Sequence, residues 1–175
     1  TEDIIGILES NPDNVVLIDE AYVDFGGESV YPLIKKYKNL LVVQTFSKSR
    51  SMAGARLGFA FGDKELISDL NKIKYSTNPY NINRLTLVAG EAAIKENDYY
   101  MENCKKIIAT RDYTVAELRR LGFDVIDSKA NFVFAKNNAV SGKALYESLK
   151  SKGILVRHFS DEKIKEYVRI TIGAR

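Results

Sequence analysis

The sequence predicts an α/β fold, with part of an open sheet followed by a small α+β domain. Two short runs, residues 15–18 and 40–43, are apolar throughout, which is typical of strands buried on both faces of a parallel sheet. Segments with helical periodicity follow each run, as in α/β proteins. After a long helical region the pattern changes to short strands around a single helix, which indicates the second domain.

The first half of the chain alternates helices and strands. A helix is predicted over residues 2–9, because Ile4, Ile5 and Leu8 lie on one face and Thr1 can cap its start. An Asn-Pro turn at residues 11–14 ends this helix. The remaining predicted elements are strands over 15–18, 40–43 and 56–62 and helices over 30–37 and 64–74. This order requires short crossovers within one open sheet.

The second half begins with a long helical region over residues 84–121, interrupted near Asn97 and Asp98 and ended by Gly122. Beyond it we predict a helix over 141–152 and strands over 125–126, 132–135, 154–156 and 167–172. The chain therefore divides into three predicted parts: residues 1–83, an interdomain helical region 84–121, and a small C-terminal domain 122–175.

The composition is that of an ordinary globular protein and argues against several function classes. Of the 175 residues, 45% are hydrophobic and 28% are charged, which is neither disordered nor fibrous. The net charge of +3 is small and no basic run stands out, so no nucleic-acid partner is expected.

No apolar run approaches the roughly 18 residues of a membrane span, and no signal layout opens the chain. We therefore expect a cytoplasmic protein with no membrane partner. His158 is the only histidine, so no metal site is expected.

Two of the predicted strands end in polar residues. One is followed by Asp19-Glu20-Ala21-Tyr22, and the other by the segment from Thr45 to Arg50. Ligands of open α/β sheets bind at the carboxyl ends of the strands. On neighbouring strands, these residues would place a carboxylate, a phenol, hydroxyls and an amine around one crevice.

This set of groups suits pyridoxal phosphate. The Lys48 amine can form a Schiff base with an aldehyde, and Asp19 can keep the cofactor's ring nitrogen protonated. Ser47 and Arg56 supply donors for a phosphate, and Tyr22 can hydrogen-bond the ring hydroxyl. Each residue alone has an ordinary explanation, such as a solvated lysine or a surface ion pair, but their combination and order favour the cofactor.

Two segments resemble the fold-type I aminotransferases of the class I/II group. They are residues 16–22, Val-Leu-Ile-Asp-Glu-Ala-Tyr, and residues 45–59, Thr-Phe-Ser-Lys-Ser-Arg-Ser-Met-Ala-Gly-Ala-Arg-Leu-Gly-Phe. Within that group the pattern is most similar to the histidinol-phosphate aminotransferases. Residues 128–134, 154–157 and 168–173 resemble strands of the family's small domain. The resemblance implies that residues 1–83 are the C-terminal part of the large domain that binds pyridoxal phosphate.

The resemblance also implies roles for individual residues. Lys48 would bind the cofactor as a Schiff base and then move a proton between the substrate and cofactor carbons. Asp19 would pair with the pyridinium nitrogen and Tyr22 would reach the ring hydroxyl. The cofactor phosphate would be surrounded by Thr45, Ser47 and Arg56.

The implied reaction is a transamination in histidine biosynthesis. L-Histidinol phosphate and 2-oxoglutarate would give imidazole acetol phosphate and L-glutamate, and the enzyme would be a homodimer. Arg169 would bind the substrate carboxylate or phosphate, and Arg157 would help to bind the same anions. Asn131 is a weaker correspondence. Because family members are about twice as long, we expect this chain to lack the N-terminal half and to be inactive alone.

Three alternatives remain open at this point. The same cofactor could serve an aromatic-amino-acid aminotransferase or a threonine-phosphate decarboxylase. The chain could instead be a non-catalytic scaffold or interaction fragment. A generic phosphate-binding α/β domain is disfavoured, because the sequence has no glycine-rich nucleotide loop of either common type.

Overall fold

The computed structural model describes residues 1–173, which form two compact units. The first unit contains Thr1–Val23 and Glu28–Tyr100, and the second contains Asp24–Gly27 and the chain from Met101 onward. Each unit has its own sheet. The division into three parts, made from the sequence, stays a prediction.

The first unit is built around a three-stranded sheet of order β1-β2-β3. Its strands are β1 (Val16–Asp19), β2 (Leu40–Thr45) and β3 (Gly58–Gly62). β1 runs parallel to β2, and β3 runs antiparallel to it. The unit's α-helices include α1 (Glu2–Ser10), α2 (Lys64–Thr77) and α3 (Arg84–Lys95). The predicted strands and the helices at 2–9 and 64–74 are thus present with shifted ends.

One of the buried clusters of this unit lies on one face of the sheet. Leu8 of α1 and Val30 pack against Leu40 and Val42 of β2, and all four side chains are buried. The prediction that the 15–18 strand is buried on both faces is wrong, since Leu17 is 54% exposed. The physical reason is that the packed face takes only alternate β1 residues, Val16 and Ile18.

Two further expectations for this unit need correction, and a third, the capping of α1, is met in position only. The helix predicted over 30–37 is instead a short 3-10 helix, Tyr31–Lys35. A segment of so few residues can form few α-helical hydrogen bonds, and the 3-10 helix is the form that short segments use. The strand predicted from Arg56 starts at Gly58, because Arg56 has a left-handed backbone with φ 55°. Thr1 occupies the cap position of α1 without a side-chain hydrogen bond.

Helix α4 (Asn97–Arg120) begins in the first unit and continues into the second. Glu96 alone separates it from α3, which confirms the predicted interruption near Asn97. At its end Gly122 adopts φ 82°, a conformation that glycine tolerates well. None of the helices in residues 1–173 is long and apolar enough to cross a membrane.

The second unit contains an antiparallel sheet of order β4-β5-β7-β6. The elements are β4 (Phe123–Ile126), β5 (Phe132–Asn137), α5 (Gly142–Ser151), β6 (Arg157–His158) and β7 (Val168–Thr171). Val125, Val133 and Ala135 form a buried cluster against Ile107 and Val115 of α4. The sheet therefore buries one face on α4 and leaves its other face for polar and aromatic side chains.

The edge of this sheet differs from the prediction. The strand expected over residues 154–156 lies instead at Arg157–His158, and Leu155 is 77% exposed. An apolar triplet does not by itself fix where pairing with β7 begins.

The segment Asp24–Gly27 belongs to this unit because the buried Arg111 guanidinium donates to Phe25 O at 2.8 Å and to Ala130 O at 3.0 Å.

Candidate active site

Asp19 is the last residue of β1 and lies at the carboxyl end of the first sheet. Its Cα pairs with Val43 of the parallel strand β2. Its Oδ1 accepts a hydrogen bond from Ala21 N–H at 2.9 Å, which fixes the start of the following turn. The side chain remains exposed, so the carboxylate is available to a ligand.

Glu20, the next residue, was not assigned a role from the sequence. It is only 8% exposed, and its carboxylate accepts three hydrogen bonds. The donors are Val30 N–H at 2.7 Å, Gln44 Nε2 at 2.8 Å and the Ser29 hydroxyl at 2.5 Å. Glu20 therefore joins the ends of β1 and β2 to the start of the 3-10 helix. The position of Glu20 directly after a predicted strand was the one sequence signal for such a role. Its hydrogen-bond partners could not be identified from the sequence, because they lie up to 24 residues away.

Thr45 and Ser47 form a hydroxyl pair where β2 ends. Their oxygen atoms are 2.9 Å apart, and Ser47 N–H donates to Thr45 Oγ1 at 3.1 Å. The Thr45 hydroxyl also lies 3.3 Å from Leu57 O. This turn directs the chain away from the sheet immediately before Lys48.

Lys48 lies close to Tyr22, the last residue of the other polar strand end. The lysine Nζ is 5.2 Å from the centroid of the Tyr22 ring, within the range of a cation–π contact. Lys48 and Tyr22 are both half-buried. The structure thus brings together an amine and a phenol from two strand ends that are adjacent in the sheet.

Arg56 lies at the far end of the loop that connects β2 to β3. Its left-handed backbone is uncommon for a residue with a side chain, and its Nη1 donates to Ala53 O at 3.1 Å. Two residues further on, a Cβ at Gly58 would lie 2.9 Å from Gln44 O. Glycine at this position lets β3 approach the end of β2 closely and so fixes the loop against the sheet edge.

Six of the eight predicted site residues therefore belong to the first unit and to one edge of its sheet. The remaining two, Arg157 and Arg169, belong to the second unit and are direct cross-strand partners on β6 and β7. Arg169 lies over the Phe132 ring at 5.1 Å, and Arg157 lies over the Phe159 ring at 5.6 Å. Like charges directly opposite each other destabilise a strand pair, so this pair suits an anionic ligand.

Comparisons with known proteins show the family to which the chain belongs. The sequence pattern of the aminotransferase class I and II family matches residues 2–175. The histidinol-phosphate aminotransferase of Brachyspira hyodysenteriae is 55% identical over 168 residues, which are 95% of this chain and 48% of that protein. The chain spans about half the length of the curated relatives it matches.

Solved structures show the same fold. The histidinol-phosphate aminotransferase from Clostridium acetobutylicum superposes with a TM-score of 0.90 at 30% identity, covering 100% of this chain and 55% of that chain. The enzyme from Sinorhizobium meliloti, solved in complex with pyridoxal-5'-phosphate, gives a TM-score of 0.84 at 25% identity, covering 98% of this chain and 48% of that chain. The chain belongs to the aminotransferase class I and II family.

Proposed function

We propose that this chain is the catalytic-lysine and C-terminal part of a pyridoxal-phosphate-dependent aminotransferase. The reaction is the transfer of the amino group of L-histidinol phosphate to 2-oxoglutarate, giving imidazole acetol phosphate and L-glutamate. The observation that carries the proposal is the Lys48 amine 5.2 Å from the Tyr22 ring centroid, at the sheet edge where Asp19 ends the adjacent strand. The 55% identity to a protein of that name supports the choice of substrate.

The residues at this edge fit the cofactor in chemical type. An exposed carboxylate at Asp19 suits a protonated ring nitrogen, and the Tyr22 phenol suits the ring hydroxyl. Hydroxyl donors at Thr45 and Ser47 suit a phosphate, together with the Arg56 guanidinium, which is exposed. The position of Asp19 at the end of β1 and of the Thr45–Ser47 pair at the end of β2 supports binding of one ligand across these two strand ends.

The bound cofactor supplies an electron sink for the charge left when a proton leaves the substrate carbon. Asp19 holds a proton on the ring nitrogen and so keeps that sink effective. The Lys48 amine would anchor the cofactor and, once free, would serve as the base that accepts the proton from the substrate carbon. Tyr22 orients the ring through its hydroxyl group.

Arg169 and Arg157 are proposed to bind the anionic groups of the two substrates. Both reactants carry such groups, a phosphate on the amino donor and carboxylates on the acceptor. An arginine guanidinium binds either anion through two parallel hydrogen bonds. Arg169 is half-buried and is therefore assigned the stronger contact, while the exposed Arg157 assists.

The whole protein is proposed to act as a homodimer, and the 175-residue chain alone to be inactive. Two apolar side chains of α3 are largely exposed, Leu85 at 83% and Val88 at 60%. Exposed apolar side chains support the proposal that a further protein surface covers α3 in the whole protein. The cytoplasmic location predicted from the sequence remains a prediction. A non-catalytic scaffold is the alternative of another class, and it predicts cofactor binding without turnover.

Turnover measurements test the proposal. The longer protein that contains these residues is assayed for glutamate formation from L-histidinol phosphate and 2-oxoglutarate, with phenylalanine as an alternative donor. Release of CO2 from threonine phosphate is measured separately as the test of the decarboxylase alternative. Lys48→Ala is expected to abolish turnover, while Lys64→Ala, at an exposed lysine of α2, leaves it unchanged. Full turnover in the Lys48 variant refutes the proposal, and a preference for another donor corrects the substrate.

A further inference from the structure

Arg50 makes contacts that the proposed reaction does not use. It lies two residues after Lys48, in the loop between β2 and β3. Its Nη1 donates to Ala93 O at 3.1 Å, and its Nη2 donates to Asn97 Oδ1 at 2.8 Å. The guanidinium also lies over the Tyr100 ring, 5.4 Å from the centroid. All of these residues belong to the first unit.

These contacts join the lysine loop to the junction between α3 and α4. Ala93 is in the last turn of α3, and Asn97 is the first residue of α4. The last carbonyls of a helix lack partners within it, and a cation is favoured at this end. The planar fork of an arginine can bridge two acceptors in a fixed geometry, which a lysine cannot do. Arg50 therefore spans the break at Glu96.

The loop and α3 also pack closely through apolar groups. Phe46, Leu57 and Ala93 form one buried cluster. A Cβ at Gly90 would lie 2.3 Å from Leu57 Cδ2, so the helix backbone lies directly against the loop. This packing holds the two ends of the loop, while Arg50 holds its middle.

The middle of the loop needs such support because its backbone is strained. Ser51, next to Arg50, has φ 54°, which is unfavourable for a residue other than glycine and persists only where neighbours impose it. Ser51 N–H donates to Lys48 O at 3.1 Å. A loop that relaxed at Ser51 would therefore move the backbone of Lys48 directly.

We propose that Arg50 is a positioning residue that holds Lys48 in place through the α3–α4 junction. The proposal rests on the proposed role of Lys48 as the cofactor lysine. The hydrogen bonds and ring contact of Arg50 go to Ala93, Asn97 and Tyr100, so the role proposed for it is to position Lys48 and not to take part in the reaction. Its loss leaves Lys48 chemically intact but displaces the amine, and a displacement of about 1 Å in a reacting group lowers a rate by roughly a hundredfold.

The experiment uses the full-length protein that contains the chain, loaded with pyridoxal phosphate. Arg50→Ala, Arg50→Lys and Asn97→Ala are compared with Asp63→Ala. Asp63 caps α2 by accepting from Glu65 N–H, so its variant lowers the stability of the same unit without touching the loop. The readouts are kcat and KM, the melting temperature, and the pH midpoint of the visible absorbance of the lysine-bound cofactor.

Both Arg50 variants are expected to lower kcat by at least about tenfold with little change in KM. They are also expected to move the pH midpoint of the visible band, while borohydride still fixes the cofactor to Lys48. Asn97→Ala should show part of this loss, and Asp63→Ala should lower only the melting temperature. If Arg50→Ala does not fold, Arg50→Lys and Asn97→Ala decide the outcome.

Two results overturn the proposal, and they are distinguishable. If borohydride fixes the cofactor to Lys48 but the Arg50 variants match Asp63→Ala in kcat and pH midpoint, Arg50 is only a structural residue. If borohydride fixes no cofactor to Lys48 in the unaltered protein, the proposed function fails together with the role of Arg50.

Discussion

Replacing Glu20 with alanine should destabilise the first unit strongly. The change removes the acceptor of three hydrogen bonds, from Val30 N–H, Gln44 Nε2 and the Ser29 hydroxyl. The buried Val30 N–H loses its acceptor and costs about 1–3 kcal/mol. The other two donors are half-buried and regain water, so each is assigned about 0.5–1 kcal/mol. The expected loss in the free energy of unfolding is therefore roughly 2–5 kcal/mol.

Urea unfolding followed by far-ultraviolet circular dichroism measures this change. Glu20→Gln keeps an acceptor for Val30 N–H and the volume of the side chain, so it should lose clearly less than Glu20→Ala. Glu9→Ala is the matched control, because Glu9 is 58% exposed and its contacts to Tyr37 and Lys36 lie at the surface. If Glu20→Ala and Glu9→Ala have the same urea midpoint, the conclusion that Glu20 holds the two strand ends together is refuted.

Three further predictions concern packing, cofactor binding and substrate binding. Gly142→Ala should lower the melting temperature through a loss of about 1–3 kcal/mol or more, because its Cβ would lie 2.4 Å from Lys165 O. Gly6→Ala in α1, with nothing within 4 Å, should instead stabilise by about 0.5–1 kcal/mol; equal effects in differential scanning calorimetry would contradict this. Asp19→Asn in the full-length protein should lower kcat strongly with little change in KM. Unchanged steady-state kinetics would contradict the role assigned to Asp19. Arg169→Lys should raise KM for both substrates more than tenfold, whereas an unaltered KM would place the anion site elsewhere.

The parts of the fold that depend on local pattern could be predicted from the sequence. The break between α3 and α4, the strand that ends at Asp19 and the strand that precedes Lys48 follow from apolar periodicity and the polar residues at the strand ends. The exposure of Leu17 could not be predicted in the same way. An apolar run has the same sequence whether one or both of its faces are covered, so burial depends on which layers pack around it.

The candidate site shows the same division. The residue types suited to a cofactor were visible as two short polar segments, because their chemistry is local. The contacts of Glu20 and Arg50 were not visible, since they join positions 24 and 43 residues apart. Neither the left-handed backbone of Arg56 nor the pairing of Arg157 with Arg169 is encoded by a simple spacing. Such features depend on the register of the strands.

The most direct test of the central claim is to identify which lysine carries the cofactor. The full-length protein that contains the chain is incubated with pyridoxal phosphate, reduced with borohydride, digested and analysed by mass spectrometry, with Lys48→Ala as the control. We predict a pyridoxyl label on the peptide that contains Lys48 and no specific label in the variant. A label on another lysine, or equal labelling of the variant, would contradict the assignment of Lys48.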